Sequence, residues 1–323
     1  MKHSKICLHG RVLRMRTELF TVTGADGMTL PGILWLPEEK PAAVLQITHG
    51  MTEHIGRYTA LAEMLTGQQI AVAGTDLRGH GKNPGNPECA SFGEGGWEKA
   101  LADMHQLYGF LAEKVPGVPH FHLGFSLGSF LLREYLNRYD DPAAGAVIMG
   151  TGDQPGAVLV LIKGIVKGQI RKAGFDGTTP LVRKLSFDTY NQKFRPNRTP
   201  SDWLCADETE LDLYRTDPLC RRDISAGLFY QLLDAMHRTG GKDAYENWNR
   251  QMPVLLLSGD RDPVGDFGKG VNRVYRAMEK AGCTQAVMRL FPGARHDLLH
   301  EEASGCGEQA RKLLAEWISE NIK

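Results

Sequence analysis

The chain has 323 residues, and 38 lysines and arginines balance 38 aspartates and glutamates, so its formal net charge is zero. This balance excludes the clustered positive charge with which proteins bind nucleic acid, and no apolar run approaches the roughly 18 residues that a membrane-spanning helix needs. The basic N-terminus, MKHSKICLHGRVLRMR, lacks the apolar region of a secretory signal, so we expect no targeting segment there.

Strands and helices alternate along most of the chain, as short apolar runs followed by stretches with apolar residues three or four positions apart. The predicted strands are Glu18–Val22, Met28–Leu36, Ala43–Thr48, Ile70–Gly74, Phe121–Gly124, Ala146–Met149, Val254–Ser258 and Ala286–Leu290. The predicted helical stretches are Tyr58–Leu65, Met104–Leu111, Leu127–Tyr139 and Ala310–Ile318. Ala25, Asp26 and Gly27 predict a hairpin between the first two strands. The alternation predicts an α/β fold, with a mostly parallel central sheet and helices on both faces.

This alternation fails between Thr151 and Arg250, where helical stretches such as Ala157–Lys172 and Gly227–Arg238 occur without a convincing strand. Insertions that follow the carboxyl ends of strands lie over the ligand crevice of an open α/β sheet. We therefore expect a first core segment over residues 1–150, an inserted helical cap over 151–250 and a second core segment over 251–323.

The predicted cap begins with the most apolar run of the chain, Ala157–Ile162, which is followed by the basic residues Lys163, Lys167, Arg171 and Lys172. A basic amphipathic helix can rest transiently on a membrane surface, or it can pack over an active site. We favour the second interpretation, because the whole chain is neutral. Aromatic residues of the insertion are candidates to line a pocket: Phe187, Tyr190, Phe194, Trp203 and Tyr214.

The cysteines are spread along the chain, and none forms a CxxC pair. They are Cys7, Cys89, Cys205, Cys220, Cys283 and Cys306. This spacing predicts neither a disulfide framework nor a zinc site. We therefore expect free thiols in a reducing, cytoplasmic location.

The nucleophile candidate is Ser126, because Gly124-Phe125-Ser126-Leu127-Gly128 matches the pattern G-x-S-x-G. The pattern follows an apolar strand and opens an amphipathic helix, which is the strand–turn–helix setting that it requires. Such a turn lifts the serine out of the sheet with a strained backbone. A side chain at either flanking position would collide with neighbouring backbone, so both positions need glycine.

A serine hydroxyl needs a base to take its proton, and the base needs an acid to orient it. Asp262 and His296 follow predicted strands, in the order serine, acid, histidine that this architecture uses. Both side chains would emerge at the same sheet edge as Ser126. The competing residues are Asp260 and Asp266 for the acid and His300 for the base. We prefer Asp262 and His296.

The negative oxygen of a tetrahedral intermediate needs fixed N–H donors. One candidate is the backbone N–H of Leu127, directly after the nucleophile. The second is the backbone N–H of Met51, after an earlier strand, where Gly50 would let the backbone approach the substrate.

Two further motifs make the similarity to a known family specific. His49–Tyr58 resembles the H-G-x-x-E-H-x-x-R-Y signature of the monoacylglycerol lipase and lysophospholipase branch of the α/β-hydrolases, and Asp76–Gly81 resembles its D-x-R-G-H-G turn. The resemblance implies the α/β-hydrolase fold, the triad of Ser126, Asp262 and His296, the donors Met51 and Leu127, and a cap that shapes the acyl or alcohol pocket. Phe125 and Ser129 depart from the histidine and glycine that members often carry there.

We expect a serine hydrolase that cleaves monoacylglycerols, lysophospholipids or other small acyl esters without a metal or cofactor. The same residues would also serve an amide, peptide or thioester hydrolase. A peptidase for free N-termini would need an acidic pocket, and the insertion contains Asp202, Asp207, Glu208, Glu210 and Asp212. A binding protein without activity is the third alternative. The oligomeric state is not indicated.

Overall fold

A computed structural model describes residues 3–8, 11–83, 85, 89–220, 223–241 and 243–322, with side chains described from residue 15 onward. Cys7 lies outside the described side chains. The cysteines whose side chains are described are buried, and no disulfide joins any two of them. No helix of the described residues is long and apolar enough to cross a membrane.

The centre of the fold is a nine-stranded sheet with the order β1-β2-β3-β5-β4-β6-β7-β8-β9. The strands are β1 (His3–Leu8), β2 (Arg11–Thr23), β3 (Thr29–Leu36), β4 (Ala43–Thr48), β5 (Ile70–Thr75), β6 (His120–Phe125), β7 (Gly145–Met149), β8 (Val254–Gly259) and β9 (Ala286–Phe291). The first three strands pair antiparallel, and β5, β4, β6, β7, β8 and β9 run parallel. The predicted hairpin and mostly parallel sheet are confirmed, whereas β1 was not expected.

Helices cover both faces of the sheet, as predicted. They are α1 (Thr59–Thr66), α2 (Gly96–Lys114), α3 (Leu127–Arg138), α4 (Gly156–Ala173), α5 (Pro180–Arg183), α6 (Thr189–Asn191), α7 (Glu208–Thr216), α8 (Ala226–Thr239), α9 (Lys269–Lys280) and α10 (Cys306–Glu320). Apolar residues of α1 and α10 share one core cluster, and those of α2, α3 and α9 share the other large one. Burial of both sheet faces explains why the parallel strands read as continuous apolar runs.

Two helices add to the sequence expectation. Helix α2 contains the predicted helical stretch Met104–Leu111 and begins at Gly96, where its first turns bury Trp97 and Ala100. Helix α9 was not predicted, although its buried residues Val271, Val274 and Met278 recur three and four positions apart. That spacing is typical of an amphipathic helix, so the sequence does carry a signal for α9.

Between β7 and β8 the described residues form helices and turns and contain no strand, as predicted for the insertion. Helices α4 and α8 pack against each other there. The apolar face of α4 is only partly covered: Leu159 and Val166 are buried, whereas Val160 and Leu161 are 59% and 67% exposed. Ala157–Ile162 therefore leaves part of its apolar surface exposed, whereas the favoured interpretation was that this run packs over the active site. The division into core and cap segments stays a proposal.

Candidate active site

Ser126 lies in a sharp turn between β6 and α3, where its backbone has a φ of 50° and a ψ of −116°. A positive φ is strained for a residue with a side chain. A Cβ at Gly124 would overlap the carbonyl oxygen of Gly128, and a Cβ at Gly128 would overlap that of Thr48. The collisions that were predicted for side chains at both glycine positions are thus present.

The structure brings the three predicted catalytic residues together at the carboxyl edge of the sheet. His296 Nε2 lies 2.8 Å from Ser126 Oγ, and His296 Nδ1 lies 2.9 Å from Asp262 Oδ2. The Asp262 carboxylate is fully buried, and the His296 side chain is 2% exposed. The carboxylate can only accept, so Nδ1–H donates to it and Nε2 is left to accept from the serine hydroxyl.

Asp262 is held in place by further donors. Its Oδ1 accepts the backbone N–H of Val264 at 2.8 Å, and its Oδ2 lies 3.3 Å from the Ser258 hydroxyl. A buried carboxylate needs such partners, because leaving it unpaired is costly. The arrangement fixes the acid and, through it, the orientation of the imidazole.

The competing residues have other partners, and among the described contacts none of them is bonded to Ser126. Asp260 Oδ1 accepts the Gly293 N–H at 2.7 Å and braces the turn after β9. Asp266 lies 3.4 Å from the Arg273 guanidinium. His300 Nδ1 lies 2.8 Å from Asp297 Oδ1.

The two predicted oxyanion donors lie in the turns after β4 and β6. Within the described part of the chain, the backbone N–H groups of Met51 and Leu127 have no protein acceptor. Donors without a partner at a strand–helix turn are available to a negative oxygen. Gly50 packs against the ring of Phe125, which a Cβ at that position would overlap.

His49 braces the loop that carries Met51. Its Nε2 accepts the Leu77 N–H at 2.9 Å, so its Nδ1–H donates to the Gly50 carbonyl at 2.7 Å. Burial lowers the pKa of His49 below its usual value. A neutral imidazole with both nitrogens engaged serves as a fixed support for this loop.

A buried ionic network joins this loop to the loop that carries His296. Glu53 accepts the Gly50 N–H at 2.6 Å and the Arg57 guanidinium at 2.6 Å, and Arg57 also reaches Asp297 at 2.7 Å. Burial alone would raise the pKa of Asp297, but the charges of Arg57 and His300 lower it well below its usual value. Glu53 and Arg57 are four residues apart, but they do not share an α-helix, because Glu53 precedes a single 3₁₀ turn, Ile55–Tyr58.

Residues of the predicted cap contact the same loop, and no local pattern in the sequence indicates these contacts. The Tyr214 hydroxyl lies 2.7 Å from the Thr52 hydroxyl, and His54 Nε2–H donates to Asp217 at 2.8 Å. His54, Asp217 and Cys220 are also the one group of potential metal ligands found in the described part of the chain, with donor atoms within 4.8 Å. The histidine–carboxylate bond gives both of those groups a partner.

A cavity of about 260 Å³ lies within the predicted cap, and its lining residues fall between Arg183 and Cys220. The lining includes three of the predicted pocket aromatics: Phe187, Trp203 and Tyr214. The charged residues around it are Arg183, Asp188 and Arg215. Trp203 also packs on His296, with ring centroids 5.1 Å apart, so one lining residue of the cavity contacts the site.

Comparison with known proteins adds a family and a fold. The family described as serine aminopeptidase, S33, matches residues 39–303. The monoglyceride lipase of Homo sapiens is 30% identical, over 94% of this chain and 91% of that protein. The monoacylglycerol lipase of Mycolicibacterium smegmatis is 24% identical, over 86% and 89%.

Solved structures resemble the whole chain. A thermostable carboxyl esterase from Bacillus coagulans superposes with a TM-score of 0.84 at 21% identity, covering 95% of this chain and 99% of the esterase. A soluble variant of the monoglyceride lipase from Saccharomyces cerevisiae gives 0.71 at 15% identity, covering 98% of each. At these identities the likeness concerns the fold, and it confirms the predicted α/β-hydrolase architecture.

Proposed function

Because the chain belongs to the serine aminopeptidase S33 family of α/β-hydrolases, in its monoacylglycerol lipase-like branch, we propose that it is a serine hydrolase of carboxylic esters. The observation that carries this proposal is the continuous path of hydrogen bonds from Ser126 Oγ through His296 to Asp262. Such a relay raises the nucleophilicity of a hydroxyl that is otherwise too weak a nucleophile.

In the proposed reaction, Ser126 Oγ attacks the ester carbonyl carbon while His296 Nε2 takes the hydroxyl proton. The Met51 and Leu127 N–H groups hold the resulting negative oxygen. The tetrahedral intermediate collapses as His296 gives its proton to the departing alcohol, and Asp262 stabilises the imidazolium in between. Water then attacks the acyl-serine with the same base, which releases the acid and restores the serine.

We infer that monoacylglycerols, lysophospholipids or other small acyl esters are the substrates, in keeping with the monoglyceride lipases among the relatives. The Phe125 ring beside the nucleophile and the apolar lining of the cap cavity favour an apolar acyl group. A cytoplasmic location and transient contact of α4 with a lipid surface stay predictions.

A peptidase that takes free N-termini is disfavoured by where the acidic cap residues lie. Asp202 and Asp207 accept backbone N–H groups, and Asp212 pairs with Arg198. None of the predicted acidic residues is among the described lining of the cavity, where Asp188 is accompanied by two arginines. An amine would therefore meet no net negative charge.

A substrate panel tests this proposal. Glyceryl and p-nitrophenyl esters of increasing chain length are compared with aminoacyl amides, using the native protein and Ser126→Ala. We expect ester hydrolysis that the substitution abolishes, and amide hydrolysis slower by at least about 100-fold, since the site lacks an amine-binding acid. Preferred cleavage of aminoacyl amides would establish the peptidase alternative. Turnover of no substrate by folded protein would favour a binding protein.

A further inference from the structure

The imidazole of His296 contacts two aromatic rings that come from different parts of the fold. The Phe125 ring, at the end of β6, has its centroid 5.0 Å from that of His296. The Trp203 indole, from the cap, lies at 5.1 Å with an interplanar angle of 34°. His296, the base of the proposed relay, therefore packs on Trp203, a residue that lies outside the central sheet.

Trp203 is itself held by its own segment. The side chain is 6% exposed, and its ring packs on those of Phe187 at 5.8 Å and Tyr190 at 5.3 Å. The backbone N–H of Trp203 donates to Asn191 Oδ1 at 3.1 Å. These contacts fix the indole without any bound substrate.

The chain on either side of His296 is bonded to the chain on either side of Trp203. The Arg295 guanidinium donates to the carbonyls of Asp202 and Cys205, and the Asp297 N–H donates to the Leu204 carbonyl at 2.7 Å. Glu301 Oε1 adds a bridge, because it accepts the backbone N–H groups of Arg295 and Ala206 at 2.8 and 3.0 Å. The two segments thus form one unit, with Trp203 placed against His296.

We propose that Trp203 is a positioning residue, which holds the His296 imidazole in line between Ser126 and Asp262. This inference rests on the proposed function of His296. Hydrogen bonds at Nδ1 and Nε2 fix the line through the two nitrogens but leave the ring free to tilt about it. A ring packed against the imidazole limits that tilt, which would turn the Nε2 lone pair and the Nδ1–H bond away from their partners, and misalignment of a catalytic group can cost about 100-fold in rate.

The proposal also assigns a fixed role to part of the cap. Residues 202–205 stay on the histidine loop during turnover, because separating them would break the bonds to Arg295 and Asp297. We then expect the substrate to enter past other parts of the cap. His296 and Asp262 are already hydrogen-bonded in place before the ester binds.

The test compares Trp203→Ala with Trp203→Phe, Trp203→Leu and the control Trp248→Ala. The control removes a buried tryptophan of the same insertion, one that packs on Tyr245 and donates to the Arg133 carbonyl. Two readouts are used: kcat and KM for an ester, and the rate at which diethyl p-nitrophenyl phosphate phosphorylates the protein and releases p-nitrophenolate. This small probe needs the nucleophile and its base but little of the cap cavity.

We expect Trp203→Ala to lower kcat and the phosphorylation rate together by about 10- to 100-fold. Trp203→Phe should recover most of both rates, and Trp248→Ala should keep the phosphorylation rate within about threefold. If Trp203→Ala does not fold, Trp203→Leu and Trp203→Phe carry the test, because both keep apolar volume and only phenylalanine supplies a ring.

Equal phosphorylation rates for Trp203→Ala and Trp248→Ala would overturn the inference, and so would equal rates for Trp203→Leu and Trp203→Phe. Failure of the proposed function looks different. In that case the native protein would not be phosphorylated at Ser126, whatever residue occupied position 203.

Discussion

Buried histidines lie at both ends of the parallel sheet, and their surroundings are opposite. His296, at the carboxyl edge, has a carboxylate on one ring nitrogen and a hydroxyl on the other. His122, in β6, is 1% exposed, and in the described structure neither of its ring nitrogens has a hydrogen-bond partner. It stacks instead on His120, with ring centroids 4.8 Å apart.

The difference shows that burial alone does not make a histidine a base. Burial lowers the pKa of His120 to about 4 and that of His122 well below its usual value, so both are neutral at pH 7. At His296 the Asp262 carboxylate orients the ring and would stabilise its protonated form. His296 and His122 therefore differ in whether Nδ1 has a hydrogen-bond partner, and not in how well water is excluded from the ring.

Removing the Asp262 carboxylate should lower activity more than any other change considered, because His296 would then lack a carboxylate partner, as His122 does. We expect Asp262→Asn to lower kcat by about 10⁴-fold, since the amide favours the wrong tautomer of the imidazole. Asp260→Asn is the matched control. It removes a carboxylate that braces the neighbouring turn, and it should cost less than about tenfold. Steady-state kinetics on folded proteins checks both, and a larger loss for the Asp260 variant would show that the acid is misassigned.

A smaller effect is expected at the other end of the sheet, in stability rather than in rate. Above pH 6.5 neither the folded nor the unfolded chain protonates His120. As the pH falls below that value, the unfolded chain binds a proton at His120 and the folded chain does not. The free energy of unfolding therefore decreases until the folded chain is protonated, near its pKa of about 4. Between pH 7 and pH 5 this loss amounts to about 2 kcal/mol.

His120→Gln should remove that share of the pH dependence. Urea unfolding at pH 7 and pH 5 measures it, and the variant should lose about 2 kcal/mol less than the native protein. His237→Gln, at an exposed position, is the control and should follow the native curve. Parallel curves for all three proteins would mean that His120 is not held neutral by the fold.

The sheet and its carboxyl-edge loops were predictable, because their signals are local. Parallel strands buried on both faces are apolar runs, as in Ile70–Thr75 and Val254–Gly259, and turn residues follow them directly. The parallel strands are therefore confirmed one by one, whereas β1 and helix α9 were not predicted. The catalytic roles of Ser126, Asp262 and His296 stay predictions, although their side chains meet.

Contacts between distant segments were not predictable from local patterns. Trp203 was noted only as one aromatic of the insertion, and nothing near it in sequence indicates that it meets His296. The guanidinium of Arg78, in the turn Asp76–Gly81, pairs with Asp26 and Asp103, and nothing near Arg78 in the sequence indicates these partners. Which surfaces meet depends on the assembled fold, so the cap's part in the site required the structure.

Mapping the residue that reacts with a fluorophosphonate probe tests the central claim most directly. The native protein is labelled and digested, and the modified peptide is identified by mass spectrometry beside Ser126→Ala. We predict one phosphonyl adduct, on Ser126, and no labelling of the variant. An adduct on another residue, or labelling that persists in Ser126→Ala, would contradict the account.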